Sequence, residues 1–136
     1  MLASSAEDVQ ERVADWLERL KGWFQETETW ADEHGWTAFP MPSVPMNEDP
    51  MLAYKVRPAE QPVLKVQGPD GRYALFKPKG LWVIGANGRI DLYTSKGAFV
   101  LLDRAETFQE PLWRIFRATS EREGLPYDPA LLADLV

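Results

Sequence analysis

Four turn signals divide the middle of the chain at nearly even intervals. The motifs Gly68-Pro69-Asp70-Gly71, Pro78-Lys79-Gly80, Asn87-Gly88 and Lys96-Gly97 place glycines at positions 71, 80, 88 and 97. The segments between them are short and rich in apolar residues, which suits strands better than helices. Closely spaced turn residues between such segments are typical of antiparallel strands joined by tight hairpins. The sequence therefore predicts a β-meander over residues 63–103.

Five strands are predicted within this meander: Val63–Gln67, Arg72–Lys77, Leu81–Gly85, Arg89–Thr94 and Ala98–Asp103. Leu81–Ile84 and Phe99–Leu102 are apolar without alternation, which predicts strands covered on both faces. The strand at 89–94 alternates apolar and polar residues, so we expect one of its faces to meet solvent. A sixth strand, at the edge of the sheet, is predicted at Ala53–Arg57.

Residues 5–34 are predicted to form one long amphipathic helix. Ser4 or Ser5, followed by Glu7 or Asp8, is typical of a capping box at the start, and Gly35 is a natural stop. Apolar residues recur three or four positions apart, with Thr27 filling one place, and they favour a helix packed on a sheet. They are Val9, Val13, Trp16, Leu20, Trp23 and Trp30.

Trp16, Trp23 and Trp30 stand one heptad apart on this helix. We interpret them as core residues that cover the sheet, because the apolar face of an amphipathic helix normally packs inward. The alternative is a small-ligand-binding domain in which the meander curls around the helix. Its apolar pocket would be lined by the three tryptophans together with Trp82 and Phe99.

Prolines mark the segments on either side of the meander. Residues 36–62 contain six of the eleven prolines, so Phe39–Pro50 is predicted to be extended and non-helical. Because this segment is also rich in apolar residues, we interpret 36–62 as an arm packed against the domain. Residues 110–136 are predicted to form helices, since Glu110-Pro111 and Asp128-Pro129 are both typical helix starts.

The fold class predicted from these elements is α+β, in a single domain spanning 1–136. A long N-terminal helix packs on a five- to six-stranded antiparallel β-meander, and C-terminal helices cover an end or the other face. Hydrophobic residues make up 45% of the chain and charged residues 26%, as is usual for a folded domain.

Charge is unevenly distributed along the chain, whose formal net charge is -6. Residues 1–35 hold nine acids and three bases, whereas residues 51–104 hold four acids and nine bases. The acidic helix and the basic sheet either neutralise each other across their contact or present faces of opposite sign. The sequence leaves both arrangements open.

Several chemistries lack the residues that they require. The chain has no cysteine and a single histidine, His34, so disulfides, thiol nucleophiles and the usual zinc ligand sets are excluded. It contains neither a phosphate-binding glycine loop nor a nucleophile elbow. The first residues lack a signal-peptide pattern, and no stretch has the apolar length of a membrane span. We therefore expect a cytoplasmic protein with no membrane partner and no cofactor.

The segment Gly88–Ala105 places Asp91 and Asp103 at two successive strands. It resembles the active-site hairpin of the PD-(D/E)xK nucleases, in which an aspartate is followed on the next strand by an acid-x-lysine motif. The resemblance implies a metal-dependent nuclease in which both aspartates hold Mg²⁺ to activate water. Ala105 stands where that family has its lysine, which implies an inactive copy or a displaced catalytic lysine such as Lys96.

Basic and aromatic residues are interspersed along the meander. They are Arg72, Lys77, Lys79, Arg89 and Lys96, with Tyr73, Trp82 and Tyr93 nearby in sequence. Such a combination suits single-stranded nucleic acid, which is bound through phosphate contacts and base stacking. The acidic chain, with a sequence pI of about 4.8, opposes phosphate binding. We therefore do not expect a nucleic-acid partner.

The function class that we favour is a small non-catalytic protein-interaction module. Its acidic helix presents Glu11, Asp15 and Glu18 to a basic protein partner, whose approach they would steer. Arg89 on the meander is a further partner-binding candidate. An inhibitor-like or immunity-like role fits this surface, and a homo-oligomer is compatible with it. The metal-dependent or degenerate nuclease and the small-ligand-binding domain are the alternatives.

Overall fold

The computed structural model describes residues 5–83, 86–117 and 124–132. Its elements are helices α1 (Ala6–Glu33) and α2 (Asp49–Ala53), strands β1 (Thr37–Met46), β2 (Ala59–Gln67), β3 (Tyr73–Val83), β4 (Ala86–Thr94), β5 (Gly97–Asp103), β6 (Trp113–Arg117) and β7 (Leu125–Pro126), and a short 3-10 helix, Pro129–Leu131. The strands within these ranges form one antiparallel sheet in chain order. The predicted α+β fold is confirmed, with seven strands instead of five or six.

Helix α1 begins and ends where its capping residues predict. The Ser5 hydroxyl accepts a hydrogen bond from the Asp8 amide at 3.1 Å, which satisfies one of the free donors of the first turn. At the other end Gly35 adopts a φ of 71°, and the Trp36 amide donates to the Ala31 carbonyl at 2.9 Å. This is the long bond of a Schellman motif, which turns the chain from α1 into β1.

The tryptophan stripe of α1 lies in the core between the helix and the sheet. Trp16, Trp23 and Trp30 are all buried, and the Trp23 ring packs edge-on against Phe76 of β3 with centroids 5.0 Å apart. The Trp16 indole nitrogen donates to the Gln61 side chain at 2.8 Å, so this fully buried ring also satisfies its polar group. These side chains pack α1 against one face of the sheet, which we call the inner face.

The Pro78-Lys79-Gly80 motif is not a hairpin turn as predicted. Strand β3 continues through it as a β-bulge, because Pro78 pairs with Ile90 and Gly80 pairs with Arg89 of the same neighbouring strand. The Glu48 carboxylate accepts hydrogen bonds from the backbone amides of Leu81 and Trp82, at 2.9 and 3.1 Å. An acid from the β1–α2 connection therefore satisfies two donors just beyond the bulge.

The Asn87-Gly88 motif was also predicted as a turn, and this prediction is wrong. Both residues lie inside β4, which pairs with β3 as far as Ala86 and Val83. Gly88 has a φ of 116°, and a Cβ placed there would overlap the Trp16 ring. Glycine at this position therefore allows the largest core side chain of α1 to approach the backbone of β4.

The proline-rich arm is largely a strand of the sheet. Its first part forms β1, the edge strand that pairs with β2 across a register shift between Met41 and Val44. Proline is tolerated at a sheet edge because its missing donor would point away from the partner strand. The predicted edge strand at Ala53–Arg57 is absent, and Ala53 is instead the last residue of helix α2, which has Pro50 in its first turn.

The predicted C-terminal helices are not present in the described residues. Trp113–Arg117 forms β6 and pairs with β5, which would otherwise expose its polar backbone groups at an edge. Leu125–Pro126 forms β7. In the described part of the predicted last helix, the 3-10 turn Pro129–Leu131 is followed by the helical residue Leu132. Residues 118–123 and 133–136 of those predicted helices lie outside the described residues.

The described elements leave most of the sheet face opposite α1 open, and we call it the outer face. Its β6 end is covered, since Phe116 is 6% exposed and Arg114 donates to the Gly124 carbonyl at 2.9 Å. The register places its residues in rows that cross the strands. The first row is Phe39, Lys65, Leu75, Tyr93 and Ala98; the second is Lys77, Asp91, Val100 and Phe116; the third is Arg89, Leu102 and Arg114. Phe39 and Tyr93 of the first row remain 43% and 42% exposed.

Candidate functional site

A buried ion pair joins α1 to the end of β5. Nη1 of Arg19 lies 2.8 Å from Oδ2 of Asp103, with 4% and 0% of the two side chains exposed. Nε of Arg19 is also 2.7 Å from Oδ2 of Asp15, one helical turn away. Oδ1 of Asp103 accepts bonds from the amides of Ala105 and Leu112, at 3.0 and 2.9 Å. Each charged group of this network thus has an ion-pair or hydrogen-bond partner, as burial requires.

The same network fixes the loop between β5 and β6, residues 104–112. Arg19 donates a hydrogen bond to the Gln109 carbonyl, and the Arg104 amide donates to the Leu112 carbonyl at 2.9 Å. Within this loop Phe108 adopts a φ of 64° and leaves its ring 48% exposed. A left-handed backbone at a bulky residue is held only where the surroundings impose it, and the Arg19 network supplies that constraint.

A groove of about 460 Å³ runs between α1 and this loop. Its lining includes three acids, Asp15, Glu18 and Glu110, and one base, Arg19, together with Phe108 and Pro111. We call it the acidic groove. It combines negative charge with an exposed aromatic ring, a pairing suited to a basic segment that also carries an apolar side chain.

The acidic groove belongs to a larger acidic face on α1. Exposed carboxylates follow the solvent side of the helix at Glu7, Glu11, Glu18, Glu26, Asp32 and Glu33. Within the described residues, none of these six forms an ion pair. A second groove, of about 600 Å³, lies near the C-terminal end of α1 and includes Glu26, Glu33 and Asp128 in its lining. Exposed acidic residues are therefore present from the first turn of α1 to its last.

The predicted partner-binding residues occupy different environments. Glu11 and Glu18 are exposed on the acidic face, as the helical periodicity requires. Asp15 lines the acidic groove but is bonded to Arg19, so it also belongs to the structural network. Arg89 lies on the outer face of the sheet, where its Nε is 2.7 Å from Oδ1 of Asp91. The structure does not bring Arg89 together with the acidic face.

Asp91 and Asp103 lie on opposite faces of the sheet. Asp91 pairs with Val100, and Asp103 is three residues further along β5, so the alternation of the strand points the two side chains apart. The fold therefore does not bring the two carboxylates together around one ion, and Lys96 lies in the β4–β5 turn. The described ranges contain no group of three or more potential Asp, Glu or His metal ligands.

The residues proposed for an apolar ligand pocket are part of the packed interior. Trp82 and Phe99 are partly buried against the core that holds the three tryptophans of α1. The Arg12 guanidinium lies 5.8 Å from the centroid of the Trp82 ring and donates to the Asn87 side chain at 3.1 Å. Burial lowers the pKa of Arg12, and the nearby Asp15 charge partly offsets this effect. The surroundings of Trp82 are therefore polar as well as aromatic.

Sequence reasoning misses Phe108 as part of the acidic groove and Asp103 as the buried partner of Arg19. Phe108 stands between Thr107 and Gln109 in a polar stretch without periodicity, so no pattern marks it as an exposed anchor. Asp103 does carry a signal, since it directly follows the apolar run Phe99–Leu102. An acid at the end of such a run can be buried against a cation, but only tertiary structure identifies that cation as Arg19.

No protein-family model, curated protein or solved structure matches this chain. None of the helices in the described ranges is both long enough and apolar enough to cross a lipid bilayer. The functional interpretation therefore depends on the surfaces described above.

Proposed function

We propose that this protein is a small non-catalytic interaction module that binds a basic segment of a protein partner along α1, with the acidic groove as its centre. The observation that carries the proposal is the convergence of Asp15, Glu18 and Glu110 beside the exposed Phe108 ring. An inhibitor-like or immunity-like role is compatible with such a surface.

The charge layout supports a steering role for the acidic face. Its six exposed carboxylates make no ion pairs in the described residues, so a partner would not have to displace internal cations. Complementary charge accelerates encounter and excludes partners of like charge, and its contribution weakens as salt is added. We therefore expect salt to slow the association.

Phe108 supplies the apolar part of the contact. Binding energy at protein interfaces is concentrated in a few residues near the centre, and exposed aromatic rings are frequent among them. The loop that presents Phe108 is fixed by Arg19 and Asp103, so little ordering entropy would be lost on binding. The partner segment should therefore contain Lys or Arg together with an apolar side chain.

A defined probe tests this proposal. We would measure fluorescence anisotropy of a labelled peptide with alternating Lys and Leu residues, at about 50 mM and about 300 mM salt. The double variant Glu11→Lys/Glu18→Lys should weaken binding at least tenfold at low salt and flatten its salt dependence. Phe108→Ala should weaken binding at both salt concentrations, because it removes apolar contact and leaves the charge unchanged.

The control is Glu60→Lys, which makes the charge change of one of these two substitutions at an exposed residue of β2. Asp15 is left intact in these variants because its loss would also disturb Arg19. If the peptide bound the double variant as tightly as the wild type, with the same salt dependence, the acidic face would not be the binding surface.

A further inference from the structure

The outer face of the sheet carries basic and aromatic residues on its open side. Its three rows contain four bases, Lys65, Lys77, Arg89 and Arg114, and one acid, Asp91. Three aromatic rings on this side are substantially exposed: Phe39, Tyr73 and Tyr93, at 43%, 37% and 42%. Monomeric proteins seldom leave such rings together on an open sheet without an interaction role.

We propose that this face binds single-stranded nucleic acid. Unpaired bases can stack on exposed aromatic rings while Lys and Arg contact the phosphates, a combination that tolerates any base sequence. The surface lies on the opposite side of the sheet from α1, so the proposal is independent of the acidic groove.

The aromatic rings lie at spacings that one strand of nucleotides can follow. Phe39 and Tyr93 share a row that crosses β1 to β4, so three strand spacings, about 14 Å, separate them. Tyr73 lies diagonally from Tyr93 on the adjacent strand, within about 8 Å. The Lys65 ammonium lies over one face of the Tyr73 ring, 5.5 Å from its centroid, which places positive charge at this ring and leaves its other face for stacking.

The charge of the whole chain does not prevent this binding. The acidic residues of α1 point away from the sheet, and the helix alone is about 10 Å thick with its side chains. The carboxylates on its far side are therefore separated from the outer face by more than the Debye length of about 8 Å at physiological salt. Of the two arrangements that the sequence left open, faces of opposite sign describe these two surfaces better.

Other occupants fit the outer face less well. A second copy docked face to face would bring two net positive surfaces together, which like-charge repulsion opposes. An acidic peptide would satisfy Lys65 and Lys77 but would leave the flat faces of Tyr73 and Tyr93 without a stacking partner. Duplex DNA holds its bases inside the helix, so it could contact the lysines only.

The test is fluorescence anisotropy of a labelled 15-nucleotide oligothymidylate with the full chain at about 50 mM salt. We expect binding that weakens with salt, with a log–log slope near −2 if about three phosphates are contacted. The double variant Tyr73→Ala/Tyr93→Ala should weaken it by at least tenfold, and Lys77→Ala should reduce the slope by about 0.7. Tyr93→Phe keeps the ring and should bind as the wild type does.

Matched controls separate this surface from the rest of the molecule. Tyr54→Ala removes an equally exposed tyrosine beyond α2, Lys21→Ala removes an exposed lysine of α1, and neither should change the affinity. Glu18→Lys, which tests the acidic groove, should not weaken oligothymidylate binding. Absence of binding at low salt would overturn the proposal. So would equal binding of duplex DNA or polyglutamate, or binding that survives loss of both tyrosines.

Discussion

Asp91 and Asp103 belong to neighbouring strands and each is paired with an arginine, but they lie on opposite faces of the sheet. On the outer face, Asp91 and Arg89 keep 18% and 40% of their side chains exposed. On the inner face, Asp103 and Arg19 are almost completely buried, and Asp103 also accepts two backbone amide bonds. Exposed pairs typically contribute about 0–1 kcal/mol, whereas breaking a buried pair costs about 3–5 kcal/mol.

The difference in burial between these two acids also applies to the sheet faces on which they lie. Inner-face residues pack against α1, so their identities are constrained by volume, charge compensation and backbone geometry. Outer-face residues such as Tyr93 and Lys77 meet solvent, so stability constrains them far less. The inner face should therefore respond to substitution through stability, and the outer face through binding.

The largest expected effect is that of Asp103→Ala. The variant removes one of the two carboxylates that compensate Arg19 and frees the amides of Ala105 and Leu112. We expect a loss of about 3–5 kcal/mol in the free energy of unfolding, measured by urea denaturation. Asp103→Asn keeps an oxygen acceptor for the amides and should lose less.

Asp91→Ala is the matched control on the outer face. It removes an exposed partner of Arg89 and should change the free energy of unfolding by less than about 1 kcal/mol. Equal losses for Asp91→Ala and Asp103→Ala would show that burial does not distinguish the two ion pairs, and our assignment of the loop 104–112 to the Arg19 network would be wrong.

A second comparison uses two glycines, one in a crowded position and one in an open position. Gly88 lies against the Trp16 ring with a φ of 116°, so Gly88→Ala introduces both overlap and backbone strain. We expect it to destabilise the fold by about 2–4 kcal/mol, measured by urea denaturation. Gly22, in the middle of α1, has open space where a Cβ would lie, so Gly22→Ala should stabilise the fold by about 0.5–1 kcal/mol.

The essential outcome is that the two substitutions change the free energy of unfolding in opposite directions. If Gly88→Ala were tolerated without loss, the close contact between Trp16 and β4 would not exist in solution. If Gly22→Ala destabilised the protein, the solvent side of α1 would be packed against something that the described residues do not include.

The sequence predicts the fold class because its periodic signals are strong. The 3.6-residue stripe of α1 and the turn at 68–71 each agree with the structure, since local preference and tertiary packing act together there. The predictions fail at Pro78–Gly80 and at Trp113–Arg117. In the first case Glu48, 33 residues away in sequence, satisfies an amide beyond a bulge. In the second case the segment pairs with β5 across the loop 104–112, so its conformation is decided by a partner outside the segment.

The candidate sites are predictable only where one element forms them. Helical periodicity alone places Glu11 and Glu18 on a common exposed face. The outer face requires the register of four strands before Phe39, Lys65 and Tyr93 come together in one row. A one-residue slip in any strand would reverse its faces, and short apolar runs do not specify register to that precision.

An effect smaller than those of Asp103→Ala and Gly88→Ala appears only at high pH, and it concerns a tyrosine packed against the core. Tyr127 packs edge-on near Phe76 of the inner face, and burial raises the pKa of its phenol well above the ordinary value of 10.0. Thr27 and Trp23 lie near its hydroxyl and moderate the rise, although none of the three polar groups makes a hydrogen bond of standard geometry within the described residues.

The raised pKa of Tyr127 fixes the direction of the pH dependence. The unfolded chain releases this proton at lower pH than the folded chain, so the stabilising contribution is complete below about pH 10 and is lost as pH rises further, by about 1.4 kcal/mol per pH unit.

Tyr127→Phe should remove that loss, so urea denaturation at pH 8 and pH 11 should show a smaller decrease in the free energy of unfolding than in the wild type. Tyr93→Phe on the open outer face should retain the wild-type decrease. If the stability of Tyr127→Phe and of the wild type depended on pH in the same way, water would reach Tyr127 in the folded chain. The contrast between a buried inner face and a solvent-exposed outer face would then not extend to Tyr127.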